Sequence, residues 1–235
     1  MTDPHFSQRS RRQWDDWAEG WDENPRRWAH NSDIMAITTA QLGPPPRWVL
    51  DAGCGSGHYT LWLLRQGYRL TAVDQSPRMV ALTRRKIAGL GGVYHVADVA
   101  SLPFAGGSFD AVLALTLIEW VADPVSTVRE LARITRPGGR ISLGVLGAAS
   151  RVRERAYRRF SGDAVMNTVM PWEAVRLLAE NGWRVEGSQG VYREQHPAEL
   201  IAQLDERTQM CIAFIWLIGA VREQAGLECL PGMGG

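Results

Sequence analysis

Residues 49–60 are VLDAGCGSGHYT, a short apolar run followed by glycines at positions 53, 55 and 57. The apolar run predicts a buried strand, and the residues from His58 onwards predict a helix that begins directly after the glycines. Glycine permits left-handed backbone angles and close approach of a ligand, and a helix start offers free N–H groups. Because open α/β sheets bind ligands at the carboxyl ends of their strands, this stretch predicts an α/β fold with a ligand site at the turn.

Short apolar runs alternate with amphipathic segments through the rest of the chain. This alternation predicts a mostly parallel sheet covered by helices on both faces, and two strands near the C-terminus would give it an antiparallel edge. The predicted strands are residues 48–52, 69–73, 93–97, 111–115, 141–146, 183–192 and the apolar run 210–221, with 93–97 and 111–115 expected to be buried. The predicted helices are residues 58–66, 77–89, 124–136, 172–181 and a segment near 197–208, and the third is expected to begin at Asp123–Pro124 and to stop at 137–139.

Two classes of ligand compete for the glycine loop. A dinucleotide site needs the pattern G-x-G-x-x-G, but its sixth position is His58 here and the last glycine comes one residue early. Asp51, just before the loop, would repel a pyrophosphate and suits a cationic amino-acid group. Asp74 ends the second strand, where an acid can accept both hydroxyls of a ribose. Asp98 follows the third strand and could accept from an exocyclic amine, so the three acids favour an adenosine with an amino-acid part.

Composition and charge exclude several classes of protein. The chain has 235 residues, of which 45% are hydrophobic and 22% charged, enough to bury a core in one α/β domain with a small cap. A net charge of +1 argues against attachment to nucleic acid or membrane by overall charge. Three cysteines without paired spacing predict neither a disulfide framework nor a metal site. Without a signal peptide or a span of ~20 apolar residues, the sequence predicts a soluble cytoplasmic protein.

A tryptophan-rich leader precedes the α/β pattern. Trp14, Trp17 and Trp21 are spaced i, i+3, i+7, which predicts one face of a helix, and the glycine and three prolines of 43–46 separate this segment from the rest. We expect an N-terminal helical lid over residues 1–46, a ligand-binding domain over 47–225 with a cap inserted at about 148–172, and a flexible tail over 226–235.

Residues 47–147 closely resemble the class I S-adenosylmethionine-dependent methyltransferases, especially the branch of the ubiquinone and menaquinone biosynthesis enzymes. The resemblance implies a Rossmann-like fold with a reversed final strand, and S-adenosylmethionine as the cofactor. The stretches that carry it are VLDAGCGSG (49–57), AVDQSPRMV (72–80), ADVASLPFAGGSFDAVLA (97–114) and RITRPGGRI (133–141).

The same resemblance implies the contacts of the cofactor. Asp51 would orient the ammonium group of its methionine part, and Asp74 would hold the ribose. The other implied contacts are Gly53, Gly55 and Gly57 with the methionine part, Gln75 and Met79 with the adenosine, Asp98 and Val99 with the adenine, and Leu115 and Thr116 on the sulfonium side.

The sequence identifies no catalytic side chain. The positive sulfur of S-adenosylmethionine activates its own methyl group, so the protein chiefly has to align the acceptor with the C–S bond. A general base is needed only for an acceptor that loses its proton late, and His58 and Glu119 are the candidates. The simpler roles are a helix start for His58 and a cap within the following turn for Glu119.

Two further groups are candidates for the lid and the acceptor site. Trp17 and Trp21 would close the cofactor pocket, or would only seal the leader helix against the core. Residues 151–159 contain five arginines and one glutamate, a local charge of +4. Arg151 and Arg155 would therefore suit an anionic acceptor, such as a carboxylate, a phosphate or an RNA backbone, unless the segment is a solvated helix face.

We therefore expect a methyltransferase, a monomer or a homodimer, that transfers a methyl group to an oxygen, nitrogen or carbon of a small molecule by in-line displacement. An alternative stays open at this point. LIEWVADP (117–124) and AENGWRVEGSQGVYRE (179–194) are similar to a bacterial tRNA methyltransferase that acts on the carboxylate of a carboxymethoxy-uridine at the wobble position.

Overall fold

The computed structural model describes residues 5–23, 31–153, 165–193 and 196–224. Its centre is a seven-stranded sheet with the order β3-β2-β1-β4-β5-β7-β6. β1 to β5 are parallel, and β7 runs antiparallel to both β5 and β6, which confirms the predicted mostly parallel sheet with an antiparallel C-terminal strand. The strands are β1 (Trp48–Ala52), β2 (Arg69–Asp74), β3 (Val93–Val96), β4 (Phe109–Leu115), β5 (Thr135–Leu146), β6 (Trp183–Val191) and β7 (Ile215–Arg222).

Helices connect and flank these strands. Asp123 accepts the N–H groups of Val125 and Ser126 and Pro124 follows it, so the predicted start of the helix after β4 is confirmed. In the described segments no helix has the length and apolar character that a bilayer span requires. The helices are α1 (Phe6–Ala18), α2 (Asn31–Leu42), α3 (His58–Arg65), α4 (Pro77–Lys86), α5 (Pro124–Ile134), α6 (Pro171–Ala179), α7 (Ala198–Ile201) and α8 (Glu206–Ile212), and short 3-10 turns span Trp21–Glu23 and Ile118–Trp120.

Three predictions about individual elements are wrong. β3 is the edge strand rather than a buried one, and Val93 and Val96 are 48% and 50% exposed. The helix before β5 ends at Ile134, and β5 continues through the Pro-Gly-Gly of 137–139. Just before these residues, the side chain of Arg136 forms an ion pair with Asp110 of β4. The apolar run 210–221 is divided between the end of α8 and β7, since hydrophobicity alone does not distinguish a buried helix end from a strand.

The N-terminal segment lies across the carboxyl ends of the strands. In α1 the hydroxyl of Ser10 donates to the carbonyl of Trp120 at 2.9 Å and accepts from the amide of Gln75 at 2.8 Å. Asp15 accepts a hydrogen bond from the hydroxyl of Ser76 at 2.6 Å, at the start of α4. The predicted lid boundary at 46 and the predicted cap stay predictions, and the predicted tail over 226–235 lies outside the described residues.

Candidate functional site

A cavity of about 1110 Å³ opens at the carboxyl ends of the parallel strands. The residues that follow β1, β2 and β3 border one half of it, and those that follow β4 and β5 border the other half. Helix α1 and the turn after it cover both halves. The site therefore occupies the edge of the sheet at which the strand pattern predicts a ligand.

The glycine loop forms the floor of the first half. Gly55 and Gly57 have φ angles of +53° and +79°, in the left-handed region that favours glycine. A Cβ atom on Gly55 would have nothing within 4 Å, so its backbone faces open space. A Cβ atom on Gly57 would instead lie 2.7–2.9 Å from atoms of Thr83, so this glycine allows the loop to pack against α4.

Two buried acids flank the loop. Asp51 accepts a hydrogen bond from the hydroxyl of Thr60 at 2.5 Å, and burial raises the pKa of its carboxyl to about 7. Asp74 accepts the N–H groups of Gly55 and Ser76, both at 2.9 Å, and burial raises its pKa to about 6. Two carboxyl groups that resist ionisation in the same cavity would be stabilised by a cationic ligand.

Four tryptophans border the cavity. Trp14, Trp17 and Trp120 meet over its second half, and Trp21 extends the cluster towards the glycine loop, where its neighbour Asp22 accepts a hydrogen bond from Ser56. Trp14 has its ring centroid 5.1–5.2 Å from those of Trp17, Trp21 and Trp120, in edge-to-face contacts. The prediction that all three leader tryptophans lie on one helix face holds for Trp14 and Trp17 and is wrong for Trp21, because α1 ends at Ala18 and Trp21 lies in a separate 3-10 turn. The sequence did not predict that Trp120, in the turn after β4, contributes to this cluster.

Residues 50–143 match the model of the family described as Methyltransferase domain. This part of the chain is a methyltransferase domain of the class I S-adenosylmethionine-dependent type. The malonyl-acyl-carrier protein O-methyltransferase of Serratia marcescens is 31% identical over 134 residues, which are 56% of this chain and 51% of that protein. The ubiquinone biosynthesis O-methyltransferase of Xanthomonas axonopodis pv. citri is 34% identical over 132 residues, 54% of this chain and 55% of that protein. The chain thus spans about half the length of these curated relatives.

The solved structures agree with this family at the level of the fold. A putative methyltransferase of Haloferax volcanii, in complex with the Trm112 methyltransferase activator, has a TM-score of 0.70 and is 25% identical. The alignment covers 90% of this chain and 98% of that one.

Most of the cofactor contacts that the resemblance implies border the cavity. Gly57 and Met79 do not border it: Gly57 packs against Thr83, and Met79, in the first turn of α4, is completely buried. The implied contacts that do border the cavity are Asp51, Gly53, Gly55, Asp74, Gln75, Asp98, Val99, Leu115 and Thr116.

Thr116 has a strained backbone that the sequence did not indicate. Its φ angle is +48°, which is unfavourable for a β-branched residue, and its N–H donates to the carbonyl of Gly144 at 2.7 Å. It lies directly after β4, where the two halves of the cavity meet. Residues with strained backbone angles are concentrated at functional sites, where contacts with the surrounding structure keep them in that conformation.

The structure places the two candidate bases differently. His58 borders the cavity, and its Nε2 lies 2.7 Å from the amide nitrogen of Asn31, whose oxygen accepts from the hydroxyl of Tyr59. This network makes Nε2 the acceptor and so occupies its lone pair, while burial lowers the imidazole pKa. Glu119 is 0% exposed, does not border the cavity, and accepts the N–H of Leu146 at 2.6 Å. Its carboxyl therefore supports the cavity wall rather than facing an acceptor.

The arginine segment is only partly described. Arg151 borders the cavity at its exposed rim, whereas Arg155 and the other residues of 154–159 lie outside the described residues. Arg153 points inwards: it donates to the carbonyls of Leu146 and Val169 at 3.1 and 2.7 Å. Burial lowers the pKa of its guanidinium group, which lies 3.9 Å from Glu119. Arg153 is thus not part of a solvated face.

Proposed function

We propose that this chain transfers the methyl group of S-adenosylmethionine to an oxygen atom of a small-molecule acceptor. The observation that carries the proposal is one cavity that joins the glycine loop, Asp51 and Asp74 in one half to a wall of tryptophans in the other. The two O-methyltransferase relatives support the choice of oxygen as the acceptor atom.

The first half of the cavity fits the cofactor. Open space over Gly55 leaves room for the methionine part against the backbone. Asp51 would pair with the ammonium group, which would offset the free energy that its buried carboxyl loses on ionising. Asp74 would accept the hydroxyls of the ribose, and Asp98 would contact the adenine. When bound, S-adenosylmethionine supplies a methyl group activated by a positively charged sulfur.

The residues of the chain contribute alignment and exclusion of water. α1 and Trp120 cover the cavity, and Thr116 holds a fixed position between its two halves. Orientation of two reactants in this way can supply ~7–11 kcal/mol of the barrier. We assign no general base, because the lone pair of His58 is engaged by Asn31 and Glu119 is buried behind the wall.

The charges at the rim give less support to a tRNA substrate. Carboxylates of Asp16, Glu19 and Asp123 border the cavity, and Arg151 is the basic side chain that borders it among the described arginines and lysine. RNA binding depends on neutralising phosphates with a positive surface, and the described part of this rim has more carboxylates than basic groups. We therefore favour a small molecule over the tRNA alternative.

A matched pair of glycine variants tests the cofactor site. Gly55 and Gly89 both have positive φ angles and open space at the Cβ position, but only Gly55 borders the cavity. Alanine at either position should cost ~1–2 kcal/mol of backbone strain. S-adenosylhomocysteine, and not NAD, should raise the Tm of the parent chain, and Gly55→Ala should weaken its binding at least tenfold while Gly89→Ala leaves it unchanged. Equal affinity in the two variants would contradict the proposed site.

A further inference from the structure

We propose that the second half of the cavity is an acceptor subsite for a flat, uncharged, aromatic molecule. This inference rests on the proposed function, because it takes the half beside Asp51 and Asp74 as the cofactor site. The sheet order separates the two halves: β3, β2 and β1 end beside the acids, whereas Trp120 follows β4 and Leu146 ends β5. The cavity volume of about 1110 Å³ lies at the top of the roughly 300–1,000 Å³ range of small-molecule pockets, and its lining residues follow all five parallel strands, so a small acceptor could lie next to the cofactor.

The tryptophan rings form a corner. The ring of Trp14 is inclined by 81° to that of Trp17 and by 85° to that of Trp120, and Trp17 and Trp120 are inclined by 86° to each other. The ring of Trp21 lies within 15° of parallel to Trp17. Edge-to-face contacts of this kind contribute ~0.5–1.5 kcal/mol each beyond the area they bury, so the corner is stable without a ligand.

Buried polar contacts fix the wall behind this corner. Glu119 accepts the N–H of Leu146 at 2.6 Å, and Arg153 donates to the carbonyl of the same residue at 3.1 Å. The amide of Asn167 donates to two carbonyls of the turn that carries Trp120, at 2.6 and 2.9 Å. The last residue of β5, the turn after β4 and the segment around 167 are therefore held together, which is the preorganisation that a binding wall requires.

The distribution of charge favours an uncharged occupant. Asp16, Glu19 and Arg151 are exposed at the rim, where water solvates them. Asp123 uses its carboxylate to cap α5. The inner wall, which includes Trp120, Leu146 and Met166, is apolar and nearly buried. A charged group placed against this wall would lose its hydration without a partner, whereas an aromatic ring would stack on an indole.

Four probe molecules of similar size test the chemical class of the proposed acceptor. The full chain is saturated with S-adenosylhomocysteine and titrated in a calorimeter with 2-naphthol, 2-naphthoate, 2-naphthylmethylammonium and decahydro-2-naphthol. We expect 2-naphthol to bind at least tenfold more tightly than the other three. Equal or tighter binding of the saturated alcohol would contradict a flat aromatic occupant, and equal or tighter binding of either ion would contradict an uncharged one. No binding of 2-naphthol would overturn the subsite itself.

Two exposed tryptophans provide a matched pair of variants. Trp17 borders the cavity and is 43% exposed. Trp48 is 45% exposed and lies at the start of β1, on the side of the sheet where the parallel strands begin, opposite the cavity. Trp17→Leu should weaken 2-naphthol binding at least fivefold, and by a larger factor than it weakens binding of S-adenosylhomocysteine, whereas Trp48→Leu should change neither. An unchanged 2-naphthol affinity in Trp17→Leu would contradict the subsite alone. A parent chain that fails to bind S-adenosylhomocysteine would overturn the proposed function, and the subsite with it.

Discussion

Cofactor affinity is expected to rise with pH between 6.0 and 7.5, because Asp51 has to be ionised to pair with the ammonium group. Burial raises the pKa of this carboxyl to about 7, and the neighbouring Asp74 adds to the effect. The sign follows from linkage: a group that must lose its proton to bind a cation gives weaker binding below its pKa. Over this range the amino group of the ligand stays charged, so the carboxyl is the group that titrates.

The magnitude follows from the ionised fraction. With a pKa of about 7, roughly one-tenth of Asp51 is ionised at pH 6.0 and about three-quarters at pH 7.5. Because the apparent Kd is divided by the competent fraction, the affinity for S-adenosylhomocysteine should increase about eightfold between these two values. Asp74, with a pKa of about 6, steepens the decrease at the acidic end. Binding at pH 6.5 should release about three-quarters of a proton per ligand.

Isothermal titration calorimetry in two buffers of different ionisation enthalpy measures both quantities. Asp51→Asn should bind more weakly at every pH and lose the proton release that is due to this carboxyl. Glu180→Gln, on an exposed residue after α6, should keep the full dependence. An affinity that is constant from pH 6.0 to 7.5 in the parent chain, with no proton release, would refute the assignment of Asp51 to the ammonium group.

Three further predictions follow from single contacts. Asp51→Asn should stabilise the ligand-free chain at pH 8 by up to about 4 kcal/mol, because folding raises the pKa of Asp51 from 3.8 to about 7 and stability therefore falls as the pH rises through that interval. Chemical denaturation at pH 4 and pH 8 measures the effect of the substitution. An equal effect at the two pH values would contradict the raised pKa. Gly57→Ala should cost ~2–4 kcal/mol, since its Cβ would meet Thr83 at 2.7–2.9 Å, and a loss below 1 kcal/mol in urea would be inconsistent with this packing. Lys86→Met removes a partly exposed ion pair with Asp22, at 2.8 Å, and should lower the free energy of unfolding by less than about 1 kcal/mol. A loss above about 3 kcal/mol would contradict the weak, solvent-screened ion pair.

The strands that cross the middle of the sheet were predictable because both of their faces are buried. β1 has the predicted bounds, and β2 and β4 differ from theirs by at most two residues at one end. A continuous apolar run is typical of such strands. The same rule failed for residues 93–97, since an apolar segment does not reveal that its strand lies at the edge of the sheet. It failed again at 210–212, where Asp205 caps a helix that continues into the apolar run.

The cofactor half of the site was predictable for a different reason. Asp51 and Asp74 lie near or at the ends of β1 and β2, and Asp98 lies two residues after β3. Parallel strands bring such positions to one side of the sheet. The wall of the other half depends on contacts between distant residues. Glu119 and Arg153 meet Leu146 only because β4 and β5 are neighbours, and the pairing of Trp14 with Trp120 depends on how α1 crosses the sheet. No local pattern contains that information.

Methyl transfer to a small molecule is tested most directly with S-adenosylmethionine labelled with tritium in its methyl group. The full chain is incubated with this cofactor and a cell extract, which is then separated into RNA, protein and small-molecule fractions. We expect the label in the small-molecule fraction, with the yield reduced by Gly55→Ala and retained by Gly89→Ala. Label confined to RNA or protein, or no transfer by a chain that binds S-adenosylhomocysteine, would contradict the proposed function.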